Sequence, residues 1–247
     1  MKVPKFSKAL RSGFTLVELL VVISIIAVLA GVAMPAMTGV IERGQQTKVI
    51  SDARQIYLAL KMYAGDNDGL FINNSGAMDN ANQAFRELLV EGRYLTTEKI
   101  FNVAKSKWCQ GTTNKPLENT ANITAADADK LMQEGVNHFG FVGGLNDAST
   151  PSYPLIVDGP TSQSTAQEFS YSTNEGLKGG LWKGKVTIVV FVDGSAKSEK
   201  TYSDGNNIVK TLRPKSSTGE ANKNLIQVDT DWLAGTKLLL PLNPTGS

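Results

Sequence analysis

Gly13-Phe14-Thr15-Leu16-Val17-Glu18 marks an abrupt change in the chain. Before it stand Lys2, Lys5, Lys8 and Arg11 with no acid; after it, from Leu19 to Ile41, no residue is charged. As a helix rising roughly 1.5 Å per residue, that run covers on the order of 34 Å, enough for a hydrocarbon core of about 30 Å. Lysine and arginine resist crossing a bilayer, so the N-terminus is expected in the cytoplasm and the bulk of the chain outside it. Glu18 is the exception at the head of the apolar stretch. An acid fixed further into a membrane costs on the order of 2.5–3.5 kcal/mol or more, so such a residue reads as functional, with a partner to be named. The plainer reading is a carboxylate that snorkels to the interface.

Three readings compete for this N-terminus. A secretory signal peptide has an apolar core of about 7–15 residues and a small-x-small cleavage site. Ala30, Gly31 and Ala33 can mimic such a site, but the run is longer, contains Glu18 and continues into more helix-like sequence. A plain signal anchor fits the hydropathy. The third reading is a leader, residues 1–13, that is cut after Gly13.

That third reading rests on a resemblance. Gly13-Phe14-Thr15-Leu16-Val17-Glu18-Leu19-Leu20 resembles the N-terminal signature of type IV pilins and type II secretion pseudopilins. The resemblance implies that a prepilin peptidase cuts between Gly13 and Phe14 and that Phe14, the new N-terminal residue, is N-methylated. It implies that Glu18 answers the positive amine of a neighbouring Phe14 in a filament, which makes it the residue of subunit assembly. Low dielectric strengthens that attraction, and an unpaired charge there is costly. Pro35 falls on a frequent family proline. The implied partners are further copies in a homo- or hetero-polymeric filament, the prepilin peptidase, a membrane platform protein and an assembly ATPase, with membrane lipid before assembly. The implied location is the bacterial inner membrane, single-pass, with a periplasmic soluble domain, followed by a filament in the periplasm or at the cell surface.

The helical pattern continues past the apolar run. Val49, Ala53, Ile56, Leu60 and Tyr63 recur at spacings of three or four and define one buried face. Arg43, Lys48, Asp52, Arg54 and Lys61 suit the solvated side. Residues 14–41 then form the membrane or filament-core part and 42–65 the amphipathic half of one helix, a rod of about 75 Å if continuous. Gly65 is the expected C-cap, and Asp66-Asn67-Asp68-Gly69 the turn that ends it. Gly31, Pro35, Gly39 and Gly44 weaken the rod, since an interior proline costs about 3 kcal/mol and a glycine about 1. Ordinary transmembrane enrichment in Gly and Pro explains them blandly. The resemblance favours a helix bend at Pro35 and Gly39 in the filament.

Residues 66–247 suffice for one soluble domain with its own core. Asp79 and Asn80 can cap a short helix through Leu89, closed by Gly92. Lys99–Val103 reads as an edge strand, and 119–128 as a loop with a short helix reaching Gln133. Phe139-Gly140-Phe141-Val142 alternates, and Pro154–Val157 is a short apolar strand. Val186–Val192 is the strongest strand, followed by an Asp193-Gly194 hairpin turn and a return strand Ala196–Tyr202. A continuously apolar strand is expected to be buried on both faces. Residues 203–224 read as a loose loop and 225–244 as a mobile or edge-packed tail. Helix first and antiparallel strands after is an α+β plan. It agrees with the pilin-like fold the resemblance implies, a long N-terminal helix packed on an antiparallel β-sheet.

Rival chemistry finds little support. Cys109 is the one cysteine, which forbids an intrachain disulfide; a semi-buried free thiol is the expectation, with an intermolecular bridge as the alternative. A calcium loop built on Asp66-Asn67-Asp68-Gly69 fails, because Ala64 and Ser75 occupy its first and last ligand positions. Some major pseudopilins bind calcium in a C-terminal loop, where Asp229 or Asp231 can serve; otherwise no cofactor or metal is expected. Gly179–Lys185 nearly matches a phosphate loop, but Val186 stands where Ser or Thr is needed and a strand follows. His138 is the sole histidine and reads as a packed or hydrogen-bonded side chain. No serine lies in a Gly-x-Ser-x-Gly elbow, so no catalytic residue is assigned and the chain is not expected to be an enzyme. The formal charge is +2. Removing the four basic residues of the leader leaves 21 basic and 23 acidic residues, a formal charge of −2, which argues against long-range attraction to nucleic acid.

The expected role is therefore structural. Tyr63–Gly69, Gly92–Leu95 with Lys99–Phe101, and Val190–Ser195 resemble stretches of proteins related to the major pseudopilin, which favours a type II secretion pseudopilus. Many such relatives carry Cys-Pro after the position of Phe101, where this chain has Val103-Ala104. The alternative is a type IV pilus subunit, major or minor, for adhesion, motility or DNA uptake. A signal-anchored periplasmic binding module is the reading from a different class.

Overall fold

The structure, a computed structural model, describes residues 14–72, 78–90, 92–162, 169–203, 208–211 and 236–242. It divides into two units, up to Gln45 and from Gln46 onward. Helix α1, Leu16–Asp66, is assigned without a break through Pro35 and Gly39. Within the second unit its inner face carries Val49, Ala53, Ile56, Ala59, Leu60 and Ala64, all buried. Asp52 departs from the solvated side assigned to it. It is buried, and Lys48 one turn earlier reaches over it with Nζ at 2.7 Å from Oδ2. The long lysine stem lets a charge stay exposed while its partner sinks into the helix–sheet boundary.

The end of α1 lies slightly beyond the expected Gly65. The amides of Asn67 and Gly69 both donate to the Ala64 carbonyl, at 3.2 and 2.8 Å, and the left-handed residues are Asp68 (φ 52°) and Gly69 (φ 78°). Helix α2, Ala81–Val90, starts as its sequence suggests. Asn80 Oδ1 accepts the Gln83 amide at 3.0 Å, and Gln83 Oε1 accepts the Asp79 amide at 2.8 Å, a reciprocal cap that satisfies two otherwise orphaned donors. Phe85 of α2 packs against Phe101 and Phe141 with ring centroids 5.0 and 5.6 Å away.

The strands are β1 (Gly140–Gly143), β2 (Pro154–Val157), β3 (Ser170–Ser172), β4 (Val186–Phe191), β5 (Ala196–Ser203), β6 (Ile208–Thr211) and β7 (Lys237–Leu239). Among the described residues they form one antiparallel sheet in the order β3-β6-β5-β4-β2-β1-β7. The five strands β5-β4-β2-β1-β7 share a single core with α1 and α2, to which Tyr171 of β3 also contributes, and β6 and β3 extend the sheet. This is the pilin-like α+β plan. Thr187 through Phe191 are all buried, as a strand covered on both faces requires. At the β4–β5 turn the Tyr57 hydroxyl of α1 donates to the Val192 carbonyl at 2.9 Å. Gly194 there has φ 80°, and a Cβ on it would lie 2.5 Å from the Tyr57 ring. The hairpin tip is thus fastened to the helix.

Three expectations change. Lys99–Phe101 is a 3-10 turn rather than an edge strand. Successive strand residues point to opposite faces, whereas Ile100 and Phe101 both enter the core. Phe139–Val142 does not bury one side alone, since all of β1 is buried between α2 and its neighbours. Strand β6 occupies part of the segment read as a loose loop, where it pairs with β5 and β3; the rest of 203–224, after Ser203, lies outside the described residues. The tail is edge-packed where described, since β7 pairs with β1 and the Leu240 carbonyl accepts the Ala81 amide at 2.8 Å.

Candidate functional site at the N-terminal helix

The start of α1 is set by two residues. Thr15 precedes the first helical residue; its amide and its hydroxyl each donate to Glu18 Oε2 at 2.8 Å, and its Oγ1 accepts the Glu18 amide at 3.2 Å. This is the Thr-x-x-Glu capping box, in which the first and fourth residues satisfy each other's orphaned groups. The sequence contains the pattern openly, but the apolar run beyond it drew the reading toward a membrane and an external partner. Phe14, just outside the helix, is 74% exposed. Gly13 and the basic residues before it lie outside the described residues.

From Leu16 to Met34 the helix is long and apolar enough to cross a membrane, and none of it is buried. Ser24 satisfies its hydroxyl internally by donating to the Val21 carbonyl at 2.8 Å, the kind of local bond an apolar medium demands. A Cβ on Gly31, Gly39 or Gly44 would meet no atom within 4 Å, so nothing inside the chain demands glycine there. The structure therefore brings Thr15 and Glu18 together and leaves the apolar surface of this half without cover.

Residues 8–34 match the family described as the prokaryotic N-terminal methylation motif. The chain is 43% identical over 61 residues to the type II secretion system core protein G of Aeromonas hydrophila, covering 25% of this chain and 43% of the relative. It is 42% identical over 66 residues to the core protein G of Escherichia coli (strain K12), covering 27% and 46%. It is 41% identical over 54 residues to the type IV major fimbrial protein FimA of Dichelobacter nodosus, covering 22% and 35%. The N-terminal part of the chain carries the prokaryotic N-methylation motif and is distantly homologous to pseudopilins and type IV fimbrial pilins. It spans less than half the length of these curated relatives. No solved structure matches it.

The second unit of this pilin-like fold holds a buried polar cluster that sequence reasoning missed. His138 is fully buried, with Nδ1 2.6 Å from Ser106 Oγ and Nε2 against Asp158 Oδ1. Asp158 Oδ2 accepts the Trp182 indole N–H, and its backbone carbonyl accepts the Tyr171 hydroxyl at 3.1 Å. Burial and the nearby Asp158 charge push the Tyr171 hydroxyl well above its ordinary range. Ser, His and Asp in contact invite comparison with a nucleophilic triad. Here Ser106, His138 and Asp158 are 2%, 0% and 2% exposed, and Ser106 Oγ also accepts the Trp108 amide at 3.2 Å. A nucleophile sealed in this way meets no substrate, so the cluster is a structural tie between five distant segments. The lone histidine signalled it weakly; its partners are too scattered in sequence to be read.

The remaining candidates resolve simply. Among the described residues no three His, Cys, Asp or Glu side chains group as a metal site. Asp66 accepts the Tyr94 hydroxyl at 2.8 Å, and Asp147 beside the same turn pairs with Lys61 at 3.2 Å. Asp229 and Asp231 lie outside the described residues. Cys109 is a free, partly buried thiol whose pKa burial pushes up to about 12.

Proposed function

We propose that the chain is a structural, non-enzymatic subunit of a type II secretion pseudopilus. It is made as a single-pass inner-membrane precursor, with residues 1–13 as leader and 66–247 as periplasmic soluble domain. A prepilin peptidase removes the leader after Gly13 and Phe14 is methylated. The apolar helix then leaves the lipid for the core of a filament, drawn out by a platform protein and an assembly ATPase. The observation that carries this reading is the uncovered apolar segment Leu16–Met34 directly behind the Gly13-Phe14 motif. In water such a surface is strongly unfavourable, and lipid first and sister helices later are the environments that satisfy it. Glu18 supplies the charge that aligns the next subunit, and Pro35 with Gly39 supplies the weak point where the helix bends on assembly.

The test is N-terminal mass spectrometry of the membrane-extracted protein. A mature chain that begins at methylated Phe14 supports the proposal, and an uncut Met1 removes it. The fimbrial relatives favour a second reading, a type IV pilus subunit. Deleting the gene separates the two, since a pseudopilus subunit is needed for protein secretion and a pilus subunit for surface fibres.

A further inference from the structure

Thr15 turns both of its donors on one atom. Its amide and its hydroxyl each reach Glu18 Oε2 at 2.8 Å, and its Oγ1 accepts the Glu18 amide at 3.2 Å. A capping box accounts for two of these three bonds, the threonine oxygen accepting the Glu18 amide and the carboxylate accepting the Thr15 amide. The third, from hydroxyl to carboxylate, lies outside it. A cap uses the lone pairs of the threonine oxygen and leaves the hydroxyl proton free to point elsewhere. Among the described residues Glu18 Oε1 accepts no hydrogen bond.

The surroundings give that third bond its weight. Glu18 is the one charged residue between Phe14 and Ile41, and the segment from Leu16 to Met34 has no cover within the chain. In hydrocarbon no water reaches a carboxylate, so its donors have to come from protein. A bond to an ionised acceptor is roughly twice as strong as one between neutral groups. A glutamate side chain has several torsions of its own. Two donors on one oxygen remove that freedom and leave the other oxygen in a fixed direction.

We propose that the Thr15 hydroxyl is a positioning group for subunit assembly: it holds Glu18 by Oε2 and so presents Oε1 to the cationic N-terminal amine of a second copy of this chain. The inference rests on the reading of Glu18 as the charge that aligns the next subunit, and it adds the residue that aims that charge. The gain comes from preorganisation. A carboxylate already fixed in direction gives up less freedom when it pairs than one that must first be ordered. The same bond serves the subunit that is still alone in lipid, where it supplies the acid with a donor from its own chain.

Formaldehyde cross-linking of intact cells, followed by immunoblotting of the membrane fraction, tests this, with leader removal read by mobility on the same blot. Glycine caps a helix about as well as threonine and keeps the amide of residue 15, but it has no hydroxyl; serine keeps the hydroxyl. In Thr15→Gly the leader should still be removed, and the cross-linked dimer should fall on the order of tenfold, as for the loss of one hydrogen bond to a charged group. Thr15→Ser should match the wild type. A Thr15→Gly chain that cross-links like the wild type reduces Thr15 to a cap and overturns the positioning role. A Thr15→Ser chain that falls as far as Thr15→Gly overturns it too, because the methyl group is then what matters. So does a Thr15→Gly chain that keeps its leader, which moves the duty of the hydroxyl to cleavage. A wild-type chain that is uncut or gives no cross-linked dimer removes the assembly reading itself, and the positioning role with it.

Discussion

Thr15 and Glu18 are bound to each other within one chain, two donors of the threonine converging at 2.8 Å on a single carboxylate oxygen. Glu18 therefore has a duty before any neighbouring subunit arrives, because it closes the first turn of α1. The two roles separate experimentally. Glutamine serves as well as glutamate in a capping box but carries no charge. Glu18→Gln should keep the cap and leader cleavage yet stop filament formation, read by electrophoretic mobility of the mature chain and by cross-linking between neighbouring subunits in the membrane fraction. Normal filaments from this variant would leave capping as the sole duty of Glu18.

The Asp158 tie should matter for stability. Asp158→Ala leaves the His138 imidazole and the Trp182 indole N–H without their acceptor, and stranding buried polar groups costs on the order of 3 kcal/mol. Urea unfolding followed by tryptophan fluorescence reads both the midpoint and the environment of Trp182. A loss well under about 1 kcal/mol would mean that water replaces the carboxylate, and the tie would not be structural.

Gly194→Ala should destabilise by about 1 kcal/mol or more, because the new methyl meets the Tyr57 ring and the residue must keep a left-handed conformation. Tyr57→Phe removes only the bond to the Val192 carbonyl and should cost about 1 kcal/mol. Thermal melts of the two single variants and the double variant separate the clash from the lost bond.

Cys109 should resist thiol reagents in the native protein at neutral pH and react once the chain is unfolded in denaturant. Its folded pKa of about 12 stands above the ordinary value of 9.0. Between these values the unfolded chain gives up a proton that the folded chain keeps, so stability should fall as pH rises through that window. Cys109→Ser titrated alongside should flatten the fall.

What the sequence made legible is what repeats locally. The apolar run, the three- and four-residue spacing from Val49 to Tyr63, and the valine-rich β4 with its Asp193-Gly194 turn each carry their periodicity in adjacent residues, and the structure places them accordingly. Burial of Asp52 was not legible, since it depends on a lysine that stays at the surface while its partner sinks. The 3-10 turn at Lys99–Phe101 goes with the burial of both Ile100 and Phe101 in a core built by residues far along the chain. Ser106, His138, Asp158 and Trp182 meet because four strand and loop ends converge, and no spacing in the chain announces it. The Thr15–Glu18 box is legible in the sequence as Thr-x-x-Glu ahead of an apolar run.

Strand β7 carries an implication for how such a molecule is made. It completes the flank of β1, yet it is synthesised long after β1, with β2 through β6 in between. Until it arrives, β1 presents a bare row of amides and carbonyls of the kind that recruits foreign strands, and α2 lacks the Leu240 carbonyl that receives its first amide. A chain truncated before Lys237 would leave the outer edge of β1 unpaired and open to pairing with foreign strands.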